Sequence, residues 1–157
     1  MDKERKRKLK KKGTLFLIVL LLLIQFFRID KEATRSPVEK DFLINQSTPE
    51  KTASIIKNSC FDCHSNTTNY PWYSNLAPIS WWIKNHVEEG KEHLNFSIWT
   101  DYTEKKRAHK LEECVEVLEE QEMPLKTYTL IHHEAKLSSE DNTLLINYFK
   151  KEINKAI

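Results

Sequence analysis

Glycine occurs only twice in this chain, methionine only twice, and cysteine three times. Each scarcity narrows the reading. With little glycine, abundant charge, long stretches of helical period and few of strand period, the sequence predicts an all-α domain with long ordered loops. An odd cysteine count argues against a simple disulfide framework. There is no second C-x-x-C and no H-x₃₋₅-H, one of which an ordinary zinc site would need. A βαβ pattern is also missing, which argues against a thioredoxin-like dithiol. No internal repeat is visible.

The charge is unevenly placed. Eight Lys/Arg fall within residues 1–12 against Asp2 and Glu4, a net of about +6 where the whole chain carries +2, so the remainder carries about −4. The basic balance therefore reports a tail, and a nucleic-acid partner is not expected. Thr14–Phe27 (TLFLIVLLLLIQFF) is almost wholly apolar. A basic run followed by an apolar run is the layout of an export signal. Fourteen helical residues span ~21 Å, short of the ~30 Å hydrocarbon core, and Ile29 can extend the run. No small-x-small cleavage site and no lipid-accepting cysteine follow Phe27.

The organisation expected is a basic cytoplasmic tail (1–13), a signal anchor or signal peptide (14–29), a linker (30–47) and a helical domain (48–157). The location expected is a single-pass cytoplasmic membrane protein with its C-terminal domain in the periplasm, or a periplasmic protein after signal cleavage. Within the domain, Ser47-Thr48-Pro49-Glu50 reads as a helix start with a hydroxyl cap. Further helices are expected over 79–92 and 101–120, the latter with Leu111, Cys114, Val115 and Leu118 as its apolar stripe. A last helix is capped by Ser138 with Asp141 three residues on. Leu144, Leu145, Tyr148, Phe149 and Ile153 form its buried stripe.

Cys60-Phe61-Asp62-Cys63-His64 is the C-x-x-C-H pattern of covalent haem attachment. Cysteines three apart project from one side of a helical turn, so both sulfurs can reach the vinyl groups on one edge of a porphyrin. The next residue then lies where its imidazole can ligate the iron. From the chain's own composition, chance matches number on the order of 0.002, so coincidence explains it poorly. Cys60 and Cys63 are the candidate covalent ligands of one haem c, and His64 the candidate proximal iron ligand. Met123 is the one thioether apart from the initiator Met1. Pro124 biases it off the preceding helix and into a loop, where it becomes the candidate distal ligand; His132 and His133 are alternatives. Trp72 and Trp82 are candidates for packing on the porphyrin face. Together these place two sulfurs and His64 around a cavity with Met123 opposite.

These motifs are part of a longer likeness. Cys60–Asn66, Tyr70-Pro71-Trp72-Tyr73-Ser74, Ala77-Pro78-Ile79-Ser80-Trp81-Trp82, Glu88-Glu89-Gly90, Leu94-Asn95-Phe96-Ser97, Met123-Pro124-Leu125, Tyr128–His132 and Ala135–Ser138 resemble the haem-binding domain family of bacterial exported proteins. The family pattern often has proline where this chain has His133. The resemblance covers roughly residues 28–155 and implies a cytochrome c-like fold with covalent haem. The function expected is single-electron transfer with periplasmic or membrane redox partners, by a carrier and not an enzyme. Two other readings stand beside it. One is a haem-based sensor or small peroxidase with a displaceable sixth ligand. The other is a non-haem metal or dithiol module using Cys60, Cys63, Cys114 and His132 or His133.

Overall fold

A computed structural model describes residues 3–32 and 34–156; Met1, Asp2, Ala33 and Ile157, which fall in the expected tail, linker and domain, lie outside the described residues. The described residues form helices, 3₁₀ turns and loops, with no strand among them. The chain divides into two units, 1–32 with 70–86 and 33–69 with 87–157.

In the first unit, α1 (Lys3–Ile24) is one continuous helix. Its composition corrects the expected membrane helix and the membrane location that depended on it. No helix among the described residues is long and apolar enough to cross a membrane. The first ten residues of α1 are mostly cationic, and its apolar part, Thr14–Ile24, spans only ~16 Å. The helix stops before the last apolar residues, tightening into a turn in which the Gln25 N–H donates to the Leu22 carbonyl (3.2 Å), and the Gln25 side chain finds partners in the 70–86 segment. Its amide donates to the Ala77 carbonyl (2.9 Å) and accepts from the Ala77 N–H (3.0 Å). Nearby, Lys31 Nζ donates to Ser74 Oγ and Asn75 Oδ1 (2.7 and 2.8 Å), and Trp81 Nε1 donates to the Phe27 carbonyl (2.9 Å).

The second unit is built on an aromatic centre. Phe42, at the start of the short helix α2 (Phe42–Asn45), is fully buried. Its ring meets Trp99 edge-on at 4.8 Å and lies 5.2 Å from Phe96 and 6.1 Å from Phe149. Phe61 stacks on Phe96 at 5.5 Å. Thus a segment without visible periodicity supplies the most enclosed ring of the core. The helices that follow along the chain are α3 (Glu50–Ser59), α4 (Phe61–His64), α5 (Ile79–His93, of which Val87–His93 belong to this unit), α6 (Glu104–Glu119), α7 (Lys126–Thr129) and α8 (Ser139–Ala156). Helices α6 and α8 make the most extensive pairing. They bury Leu111, Val115 and Leu118 of one and Leu145, Tyr148 and Phe149 of the other, as the apolar spacing predicts.

Local chemistry sets the helix ends. Ser138 and Asp141 form the reciprocal cap expected of α8: the Asp141 N–H donates to Ser138 Oγ (3.0 Å) and the Ser138 hydroxyl to Asp141 Oδ2 (2.7 Å). The hydroxyl cap expected for α3 does not form. Pro49 occupies that position without a side-chain bond, and Thr48 instead shares a hydrogen bond with the Tyr148 hydroxyl (2.7 Å). The start of α3 is thereby tied to the body of α8, and its C-terminal end delivers Cys60.

Candidate functional site

The C-x-x-C-H segment is a single helical turn. The His64 N–H donates to the Cys60 carbonyl at 2.9 Å, and the Cys63 N–H donates to the same oxygen at 3.2 Å. This closes the turn that sets the two sulfurs three residues apart on one side. The turn follows α3 directly through Cys60, which leaves the helical conformation (φ −126°, ψ −37°) while its N–H closes the last bond of α3 on the Ile56 carbonyl (2.9 Å).

Helix α5 lies against this turn at Gly90. A Cβ at Gly90 would lie 2.6 Å from the Cys63 carbonyl oxygen and 3.0 Å from Cys63 Cβ. Only hydrogen fits there. The contact brings two carbonyls to His64: its Nδ1 lies 2.8 Å from Gly90 O and 3.1 Å from Leu94 O. Both partners are pure acceptors, so Nδ1 carries the proton and Nε2 keeps its lone pair. Burial holds the His64 pKa below its ordinary value, against the pull of the two carbonyls toward the charged form. The product is a neutral imidazole with one oriented donor nitrogen, the form in which histidine binds metals.

The position of Leu94 O is itself braced. Asn95 Nδ2 donates to Asn66 Oδ1 (2.8 Å), the Asn66 N–H donates to Ser97 Oγ (3.0 Å), and the Asn95 N–H donates to the Tyr102 hydroxyl (2.9 Å). The residue after Leu94 is therefore bonded to the segment after His64 by buried groups that have no competing water.

Cys60 packs against the apolar core. Burial pushes its thiol up to about 12, with the neighbouring Cys63 adding to the shift. Burial and the Asp62 carboxylate push Cys63 up to about 11, while Lys91 opposes them. Burial likewise raises Cys114, which packs on the core from α6. Thiolate chemistry is disfavoured at all three positions. Among the described residues, no group of three or more His, Cys, Asp or Glu is arranged to hold a metal ion. The four-ligand zinc reading therefore finds no supporting geometry among the described residues.

Met123 lies four residues past the end of α6, half-buried, its N–H donating to the Val117 carbonyl (3.3 Å). It is off the helix, as the following proline predicts. Cys60, Cys63, His64 and Met123 all belong to the second unit. Trp72 and Trp82 belong to the first unit, where they are 76% and 52% exposed. The cavity expected around the sulfurs differs in its lining. The open groove beside the motif, about 860 Å³, is bordered by Phe61 and Asp62 with Arg35, Lys57, Asn66 and Tyr128, and by none of Cys60, Cys63, His64 or Met123. Cys60 packs against the core and Cys63 lies against Gly90, while Phe61, itself part of the core, and Asp62 border the groove.

The model of the Haem-binding domain family matches residues 19–151. The chain belongs to that family. No curated protein and no solved structure gives a significant match. Haem is accordingly the cofactor of this haem-binding domain, and the donor set fits it. One neutral, oriented imidazole nitrogen suits iron, and two uncharged sulfurs sit in the same turn.

Three contributors to this haem-binding domain escaped sequence reasoning as site residues: Gly90, Leu94 and Asp62. Gly90 had left a signal. A glycine inside a helix costs about 1 kcal/mol against alanine, so one that interrupts a helical pattern asks for a packing reason. The carbonyl of Leu94 left none, since any residue carries one.

The histidine geometry predicts a pH dependence. Its folded pKa lies below the unfolded value near 6.5. As pH falls through that value the unfolded chain takes up a proton that the folded state resists, so stability drops; above it, the His64 contribution is fully present. Denaturant midpoints at pH 7.5 and 5.5 should show a larger acid loss for the native chain than for His64→Gln. Equal losses would mean that His64 is not held neutral.

Proposed function

We propose that this haem-binding domain holds one haem c covalently through thioethers from Cys60 and Cys63, with His64 and Met123 as its iron ligands, and that it carries single electrons. The observation that carries the reading is the double acceptance of the His64 Nδ1 proton by Gly90 and Leu94. It commits one nitrogen to the protein and leaves the other as a donor of fixed orientation. The cysteine environments support covalent attachment. A thioether has no acidic proton, so burial that disfavours a thiolate costs nothing once the sulfur is alkylated.

A bound haem supplies a one-electron iron couple. The chain's residues do the rest. Cys60 and Cys63 fix the ring to one helical turn, and α5 holds the His64 plane still. The aromatic core keeps water from the buried side of the turn. With His64 and Met123 both holding the iron, no coordination site would be left for a substrate, which favours a carrier over an enzyme. The roughly −4 charge outside the basic tail suits docking to basic redox partner proteins.

The test is spectroscopic. The native protein should show the near-infrared thioether-to-iron band when oxidised and should bind carbon monoxide slowly when reduced. Met123→Ala should abolish the band and speed carbon monoxide binding. A band unchanged by Met123→Ala would remove Met123 as ligand. Rapid carbon monoxide binding by the native protein would favour a sensor or small peroxidase.

A further inference from the structure

Asp62 stands between the two cysteines, and its carboxylate reaches in two directions. Oδ1 accepts the Asn69 N–H (3.0 Å), and Oδ2 accepts the Tyr128 hydroxyl (2.7 Å) across 66 residues of chain. Tyr128 lies in α7, which follows the Met123-Pro124-Leu125 loop directly. The N–H groups of Tyr128 and Thr129 both donate to the Leu125 carbonyl (3.0 Å each), so Tyr128 and Leu125 move as one helical turn. The Tyr128 ring is held flat against His132, centroids 4.3 Å apart and planes within 15°. At its other end the loop hangs from α6: the Glu122 and Met123 N–H groups donate to the Val117 carbonyl (2.9 and 3.3 Å). Pro124 offers no N–H of its own. The loop that carries Met123 is thus held at one end by the last turn of α6 and at the other by α7.

We infer that Tyr128 is a positioning residue: through Asp62 it locks the loop carrying the distal ligand to the motif carrying the proximal one. This rests on the reading of Met123 as a ligand. A hydrogen bond to a carboxylate in a partly buried setting is among the stronger single contacts available to a side chain. Its loss should raise the fraction of protein with Met123 off the iron on the order of tenfold. Tyr128 does not touch the iron, so its removal should alter the ligation equilibrium and leave both thioethers in place.

The experiment uses the haem-loaded fraction of the full chain, so that reduced loading does not enter the readout. Near-infrared band intensity and carbon monoxide binding rate are measured for the native protein, Tyr128→Phe, Asp62→Ala, Asp62→Asn and Met123→Ala. Tyr128→Phe keeps the ring against His132 and loses only the hydroxyl. Asp62→Asn keeps the link with its polarity reversed, because the amide oxygen can still accept from Asn69 while its nitrogen donates to the tyrosine oxygen. The expected result is a weakened band and about tenfold faster carbon monoxide binding in Tyr128→Phe and Asp62→Ala, with Asp62→Asn close to native. Native behaviour of Tyr128→Phe, while Met123→Ala loses the band, overturns this inference alone. Equal damage in Asp62→Asn and Tyr128→Phe also overturns it, since the preserved link would then have no effect. A band that survives Met123→Ala removes the Met123 reading and this inference with it.

Discussion

Gly90→Ala should destabilise the protein and loosen His64, although helix propensity alone predicts the reverse. Alanine inside a helix is worth about 1 kcal/mol over glycine. Against that gain stands a Cβ 2.6 Å from a backbone oxygen of the C-x-x-C-H turn. The obstructing atom is backbone, so it cannot swing aside as a flexible side chain would. Overpacking of this kind costs about 1–3 kcal/mol. The two terms leave a net loss of about 1 kcal/mol, and a larger side chain such as valine should cost more. For a chain of this length, 1 kcal/mol moves the melting temperature by roughly 2–4 °C. The displaced atoms include the Gly90 carbonyl that holds the His64 proton, so the same variant should weaken proximal ligation as well as stability. A melting temperature that rose in Gly90→Ala would show that the close approach of α5 is not needed.

The second large effect concerns the sulfurs. Cys60→Ala or Cys63→Ala should leave a single thioether, and the double variant should leave no covalent bond while His64 remains in place. In protein made with the haem-attachment machinery, the native polypeptide mass should exceed that of the bare chain by one haem. Each single variant should keep that increment in reduced yield, and the double variant should show none after denaturation. Cys114→Ala is the control. Its thiol is buried on the α6 stripe, so its loss should lower stability through a small cavity without changing the covalent mass. An unaltered haem increment in the double cysteine variant would refute attachment at these positions.

Much of this architecture was legible in the sequence because it rests on spacing. The α6 and α8 stripes follow a 3.6-residue period, and both face the core. The Ser138–Asp141 cap is a local pattern and forms as written. What spacing does not encode was missed. Phe42 sits in a stretch with no period, yet it is the centre of the aromatic cluster, since a four-residue helix is too short to show one. Glu152 lies on the α8 stripe and is buried, its carboxylate accepting from Lys155 Nζ one turn on at 2.6 Å. A polar residue at that spacing reads as surface unless its partner is known. The apolar run near the start misled in the other direction. Counted by composition it approaches a membrane span, but its helix spends its first turns on cations and ends at Ile24, where Gln25 bonds to Ala77.

The site divides in the same way. Cys60, Cys63 and His64 are contiguous, and their spacing alone specifies a single turn. The groups that orient His64 come from residues 26 and 30 positions further along, and they are backbone carbonyls, which no side-chain pattern advertises. Asp62 is one of the two positions that the C-x-x-C-H pattern leaves open. Its side chain proves to join the motif to the Asn69 loop and to α7.

The most direct test of the account is whether haem stays with the chain once the fold is gone. Protein produced with the haem-attachment machinery would be denatured, extracted with acidified organic solvent and assayed as the pyridine haemochrome. Haem retained in the polypeptide fraction at one per chain, with the band position of two saturated thioether linkages, is the predicted result. Haem that leaves entirely with the solvent would contradict covalent attachment through Cys60 and Cys63.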